Sequence, residues 1–149
     1  MTFHTNQSNS SIKIPHLELI ESGLPREIHH FLGYRYVTKK EAYELVGYKL
    51  SGWVVPFYDP KGNPYLHQGK PFYRLKPEPE QLKGDDPPKY LTPEDAGCRP
   101  YFSRLATEEK YKTCKKLFIT EGEKKADALT HYGFPCIGLS GVYGWKDKR

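Results

Sequence analysis

The chain lacks several features that would settle its class at once. No apolar run is long enough for a transmembrane helix and no secretory leader pattern precedes the polar start, so a cytoplasmic protein without a membrane partner is expected. There is no Gly-x-x-x-x-Gly-Lys-Ser/Thr loop to cradle phosphates, which removes the nucleotide-hydrolysing helicases. Cysteine is scarce and badly placed for metal or disulfide work: Cys98, Cys114 and Cys136 are odd in number, widely spaced and never arranged as Cys-x-x-Cys. Cys136 is most simply a small core residue. Six histidines include the neighbours His29 and His30, which point apart on a helix and make no metal site. Apolar content is low at 37%, so a chain of 149 residues fits one modest domain or two small subdomains. Twelve tyrosines, seven phenylalanines and two tryptophans compensate in bulk. The balance of 23 basic against 18 acidic side chains, net +5, is a mild bias toward polyanions.

The segment with the clearest pattern runs from Lys115 to Leu139. Leu117 to Thr120 is an apolar, β-branched run that stops at Glu121 and Gly122, and good helix formers follow at once. His131-Tyr132-Gly133-Phe134 is a helix stop, and Pro135 to Leu139 reads as a second short buried strand. This is a strand, helix and parallel strand, a unit that collects polar groups at the carboxyl ends of its strands. Glu121 lies at such an end, where a carboxylate suits metal coordination or proton transfer. Glu121 and Glu123 equally suit a helix first turn, where negative charge contributes about 0.3–1 kcal/mol against the macrodipole. The residues alone leave both readings open.

Upstream, residues 1–13 are polar and rich in Ser and Asn, a flexible tail. Leu17, Ile20, Leu24, Ile28, Phe31 and Leu32 recur at near-helical spacing, broken at Ser22-Gly23-Leu24-Pro25, which predicts two short helices, the second from about Pro25 to Gly33. Thr38 and Glu41 form a capping-box pattern for a helix from Lys40 to Val46, ended by Gly47. The period then changes to alternation. Trp53 to Tyr58 predicts a strand with Pro56 at an edge or bulge, Asp59 to Pro64 a turn, and Tyr65 to His67 a returning strand, followed by another from Phe72 to Lys76. Pro77 to Pro88 is an exposed loop in which Asp85 and Asp86 are solvated. Arg99 to Phe102 leads back toward the core.

The run Phe118-Ile119-Thr120-Glu121-Gly122-Glu123-Lys124-Lys125-Ala126-Asp127-Ala128-Leu129, with Gly133-Phe134-Pro135 after it, resembles the opening motif of a Toprim domain, the metal-dependent catalytic domain of bacterial primases and topoisomerases. The likeness is closest to Toprim-like domains of plasmid, phage and cyanobacterial replication proteins, where a later Gly-Val-Trp-Gly-Trp run corresponds to Gly141-Val142-Tyr143-Gly144-Trp145. The preceding order of parts is similar to the bacterial primase core: a helical piece, a strand-turn-strand, the Arg-bearing strand Tyr73-Arg74-Leu75, then Pro88-Lys89-Tyr90-Leu91. The resemblance implies an α+β amino-terminal subdomain over residues 14–106 and the first βαβ unit of an α/β Toprim domain over residues 107–149. It implies that Glu121 is the catalytic or metal-linked carboxylate, supported by Gly122, Glu123, Lys124, Lys125 and Asp127. Arg74, Lys76, Lys89, Tyr90 and Arg99 are then expected to hold a single-stranded DNA or RNA template, with a helicase or other replication protein as a further partner and Mg2+ as the cofactor. Lys110, Lys112, Lys115 and Lys116 extend the basic surface, though each lysine reads as readily as solvated charge. Two departures stand out. Lys125 occupies a position where primases usually have an acid, and no Asp-x-Asp pair follows before Arg149, Asp147 being a lone acid. One carboxylate does not fix a magnesium ion among phosphates, so this chain is expected to be cut off within the domain and catalytically incomplete alone. A non-catalytic accessory or remnant binding module is the other expectation.

Overall fold

A computed structural model describes residues 15–141 of the chain. The expected tail and the run from Val142 onward, Asp147 included, lie outside the described residues.

Two short helices open the described chain, α1 (Pro15–Glu21) and α2 (Arg26–Leu32). They are separated where expected, with Pro25 in extended conformation ahead of α2 and Gly33 closing it, its N–H donating to the His29 and His30 carbonyls. Strand β1 (Arg35–Val37) leads into α3 (Lys39–Val46). Both halves of the capping box are present: the Glu41 N–H donates to Thr38 Oγ1 at 3.3 Å, and the Thr38 N–H to Glu41 Oε2 at 2.7 Å.

The first sheet is antiparallel, in the order β1, β2 (Gly52–Pro56), β5 (Tyr73–Pro77), with a two-stranded ribbon of β3 (Leu66–His67) and β4 (Lys70–Pro71) between β2 and β5 in sequence. Pro56 stands at the end of β2, past the register of β1, which stops at Val54. The Phe57 N–H is turned to Phe72 O, so the ring nitrogen of Pro56 faces the side where β1 has ended and breaks no ladder bond.

The second sheet contains β6 (Tyr101–Phe102), β7 (Phe118–Glu121) and β8 (Cys136–Leu139), with α4 (Glu108–Thr113) between β6 and β7 and α5 (Glu123–His131) between β7 and β8. β7 and β8 are parallel, Phe118 opposite Cys136 and Glu121 opposite Leu139. The sheet order is β6, β8, β7. Among the described residues Glu121 therefore leaves an edge strand, and the unpaired edge of the parallel pair belongs to β7. The reason is β6: two residues pair antiparallel with β8, Tyr101 opposite Gly138, and occupy its other side. The architecture is thus mixed α+β, small sheets with short helices.

One core draws on both sides of residue 106. Leu19, Leu24, Leu32, Tyr34, Val55, Phe57 and Phe72 pack with Tyr101, Ala126 and Cys136. Phe57 meets Phe72 and Tyr101 edge-on at centroid distances of 4.9 and 5.1 Å, contacts that add about 0.5–1.5 kcal/mol each beyond area burial. Among the described residues no helix is long and apolar enough to cross a membrane.

Candidate functional site

At the carboxyl end of β7 the chain reverses through Gly122, whose φ of 89° a side-chain-bearing residue rarely adopts. The Gly122 N–H donates to Leu139 O at 3.0 Å, which fixes the turn to the end of β8. Helix α5 begins directly after it, and among the described residues no side chain caps its amino terminus, which leaves its first N–H groups open there. Gly138 permits this close approach, because a Cβ there would lie 3.0 Å from Gly122 O and 3.3 Å from both Ala126 Cβ and Tyr101 Cβ.

The turn borders a cleft of about 380 Å³, walled by Arg74 from β5, Lys89 and Tyr90 from the loop beyond it, residues 121–125, and Leu139 to Gly141 at the end of β8 and just past it. Arg74 organises the floor. Its Nη1 donates to Glu123 Oε1 and, at 3.2 Å, to Ser140 Oγ, and its guanidinium carbon lies 4.9 Å from the centre of the Tyr90 ring. The ion pair is buried, with side-chain exposures of 12% for Arg74 and 3% for Glu123, so each charge depends on the other for solvation. Burial first, then the Glu123 and Glu18 carboxylates, push the Tyr90 hydroxyl well above its ordinary range against the opposing pull of Arg74, and it remains a neutral phenol.

A second charge group supports the rim. Glu18 on α1 accepts from both Lys124 and Lys76. Burial raises the Glu18 carboxyl, but the hydrogen bonds from Lys124 and Lys76 outweigh it and leave it below the usual carboxylate value. Burial lowers Lys124, countered by Glu18. With these pairs made, Lys89, Lys125 and Glu121 are the charged wall groups that form no ion pair among the described residues. All three are exposed. The wall carries four cations against two carboxylates, which favours an anion.

Of the residues singled out from sequence, Arg74, Lys89, Tyr90, Glu121, Gly122, Glu123, Lys124 and Lys125 come together here. Three do not. Lys76 is turned to Glu18. Arg99 lies over the Tyr65 and Phe72 rings, 5.6 and 5.2 Å from their centres. Asp127 faces the core, accepting from Tyr34 Oη at 2.5 Å and Tyr101 Oη at 2.8 Å. Burial pushes its carboxyl up to about 6, held back by the Ser103, Tyr34 and Tyr101 hydroxyls. Two participants had not been singled out. Ser140 follows the second strand just as Glu121 ends the first, so the same strand-end logic reaches it, whereas nothing local marks Glu18.

For the implied magnesium ion the donor set is short. Glu123 is committed to Arg74, Glu121 is the other wall carboxylate, and among the described residues no group of three or more His, Cys, Asp or Glu is placed to hold a metal. A hard divalent cation takes several oxygen ligands, so these residues by themselves do not fit one.

Fold and site together define a mixed α+β protein with a cationic cleft at a strand-turn-helix junction. A family described as a domain of unknown function, DUF3854, matches residues 111–149, the segment that contains β7, the Glu121 turn, α5 and β8. No curated protein and no solved structure matches the chain.

Proposed function

We propose that the chain is the amino-terminal portion of a primase-like Toprim replication protein and that the cleft beside Glu121 receives the backbone of single-stranded nucleic acid. The observation that carries this reading is the meeting of Arg74, Lys89 and Tyr90, from a different sheet and loop, with residues 121–125 around one cleft. Lys89 and Lys125 supply uncommitted positive charge for phosphates, and the open N–H groups of α5 add to it. Tyr90, neutral and backed by Arg74, offers a ring face to an unpaired base. Glu121 is the exposed carboxylate that this reading gives to acid-base work. No step of the reaction is assigned to these residues alone.

Filter binding of a single-stranded oligonucleotide across a salt series tests the proposal. Each phosphate contact contributes about 0.7 to the slope of log affinity against log salt, so Lys89→Ala with Lys125→Ala is expected to reduce it by about 1.4. No measurable affinity even at low salt removes the nucleic-acid reading. A second reading, a non-catalytic binding module, is favoured by the commitment of Glu123 to Arg74, which leaves Glu121 without a second free carboxylate in the cleft. It prevails if Glu121→Ala in the longest natural form of the protein leaves nucleotide polymerisation and strand cleavage unchanged.

A further inference from the structure

Register across the first sheet sets Tyr36, Trp53, Lys76 and Tyr90 in one row. Tyr36 of β1 lies opposite Trp53 of β2, and Trp53 opposite Lys76 of β5. On the other side of β5, Leu75 and Leu91 form an antiparallel bridge, their N–H groups donating to each other's carbonyls at 2.9 and 2.7 Å, which sets the next residues, Lys76 and Tyr90, beside one another. Opposed residues share a face of the sheet, and Arg74, two residues from Lys76, shares it too. The Arg74 guanidinium over the Tyr90 ring is the diagonal contact that this register allows. With strands about 4.8 Å apart, the row from Tyr90 to Tyr36 is about 14 Å long.

One end of the row is Tyr90, in the wall of the cationic cleft. The other end opens on a notch of about 130 Å³ between the Tyr36 and Trp53 rings, Pro77 and Pro79. Pockets for whole small molecules run to about 300–1,000 Å³, so this one has room for a single flat ring system and little more. Tyr36 is 39% exposed and Trp53 half-buried, so both rings keep surface for a ligand. The carboxylates at the notch are already matched: Glu18 accepts from Lys76 and Lys124, and Glu78 accepts from Ser51 Oγ and Gln81 Nε2 at 2.9 and 3.0 Å. Glu18 and Lys76 border the notch and Lys124 the cleft, so this group joins the two sites, with its lysines outnumbering its carboxylate.

We infer that the notch of Tyr36 and Trp53 is a second base-stacking site, holding a base of the same single strand whose backbone the cleft receives and another of whose bases lies on Tyr90. The inference rests on the nucleic-acid reading above and extends it to rings outside the cleft. The strand follows the row, its phosphates passing Lys76 and Lys124. Every base has a π-face, so the two aromatic positions add affinity without demanding a sequence.

Trp53 reports on the notch directly. Trp53 and Trp145 are the two tryptophans of the chain, so Trp145→Phe leaves Trp53 as the single indole emitter. In that variant of the full chain, an oligothymidylate of about 12 nucleotides is expected to quench the emission in step with binding measured by filter retention, whereas an abasic strand of the same length binds more weakly and leaves the emission unchanged. Tyr36→Ala, at an exposed position, is expected to weaken oligothymidylate binding by about fivefold or more, with unchanged far-ultraviolet circular dichroism and an unchanged salt slope, since the phosphate contacts remain. Oligothymidylate binding that leaves Trp53 emission unchanged, an abasic strand that quenches it equally, or a Tyr36→Ala affinity within about twofold of the parent overturns the second site and leaves the cleft reading standing. Failure of both strands to bind at low salt removes the two together.

Discussion

Replacing Arg74 by leucine is the perturbation that asks most of the cleft's architecture. Arg74 holds Glu123, which is 2% exposed, and also reaches Ser140 and the Tyr90 ring. Leucine fills part of the volume but leaves the Glu123 carboxylate buried without its cation. Breaking a buried pair from one side costs about 3–5 kcal/mol, against a whole-domain stability of about 5–15 kcal/mol. Arg74→Leu together with Glu123→Leu removes both charges, and such replacements are near neutral or stabilising, so the double variant is expected within about 1 kcal/mol of the parent. Urea unfolding at pH 7 measures the difference. With a slope of about 2 kcal/mol per molar, the single variant loses about 2 M in midpoint and the double regains most of it. The same comparison reports on folding together, because Arg74 belongs to the first sheet and Glu123 to the helix of the second. A single variant that loses less than 1 kcal/mol, or a double variant as unstable as the sum of both singles, would refute the reasoning.

Asp127 makes a prediction with a defined sign. Its folded-state value of about 6 lies above the ordinary 3.8, so the folded protein binds the proton more tightly and stability increases as pH falls from about 6 toward 3.8. The difference of about two pH units corresponds to about 3 kcal/mol, and Asp127→Asn is expected to remove that part of the profile; urea midpoints of both proteins at pH 4 and pH 7 that shift in parallel contradict it. Gly138→Val is expected to lower the melting temperature by about 4–8 °C, because its methyls must displace Gly122 O, Ala126 and Tyr101, and overpacking costs about 1–3 kcal/mol. A melting temperature within a degree of the parent shows that α5 and β8 are not in close contact at that point.

Several parts of this fold are written locally. Thr38 and Glu41 announce α3 three residues apart, Gly33 and Gly47 end their helices, and the Asp59 turn is held by its own carboxylate, with Oδ1 accepting from the Lys61 and Asn63 N–H groups at 2.9 Å. The strand, turn and helix around Glu121 belong to the same group, because hydrophobic period and the Gly122 stop act within a few residues. β1, β6 and α4 were not legible: a strand of two or three residues has no measurable period, and α4 buries none of its residues.

What the chain order by itself determined is the longer, locally signalled elements, α1 to α3, β2, β5 and the β7–α5–β8 run, and the grouping of chemistry-bearing residues at the end of β7. What only the tertiary structure decided is who stands beside whom. Tyr101 and Phe102 take the far side of β8 and push β7 to the edge. Glu18 claims Lys76 and Lys124 from 58 and 106 residues away, and Tyr34 reaches Asp127 across 93. Caps and turns are short-range and are fixed by neighbours in sequence, whereas a buried charge takes whichever partner the packing brings within reach, and that partner leaves no mark in the residues around it.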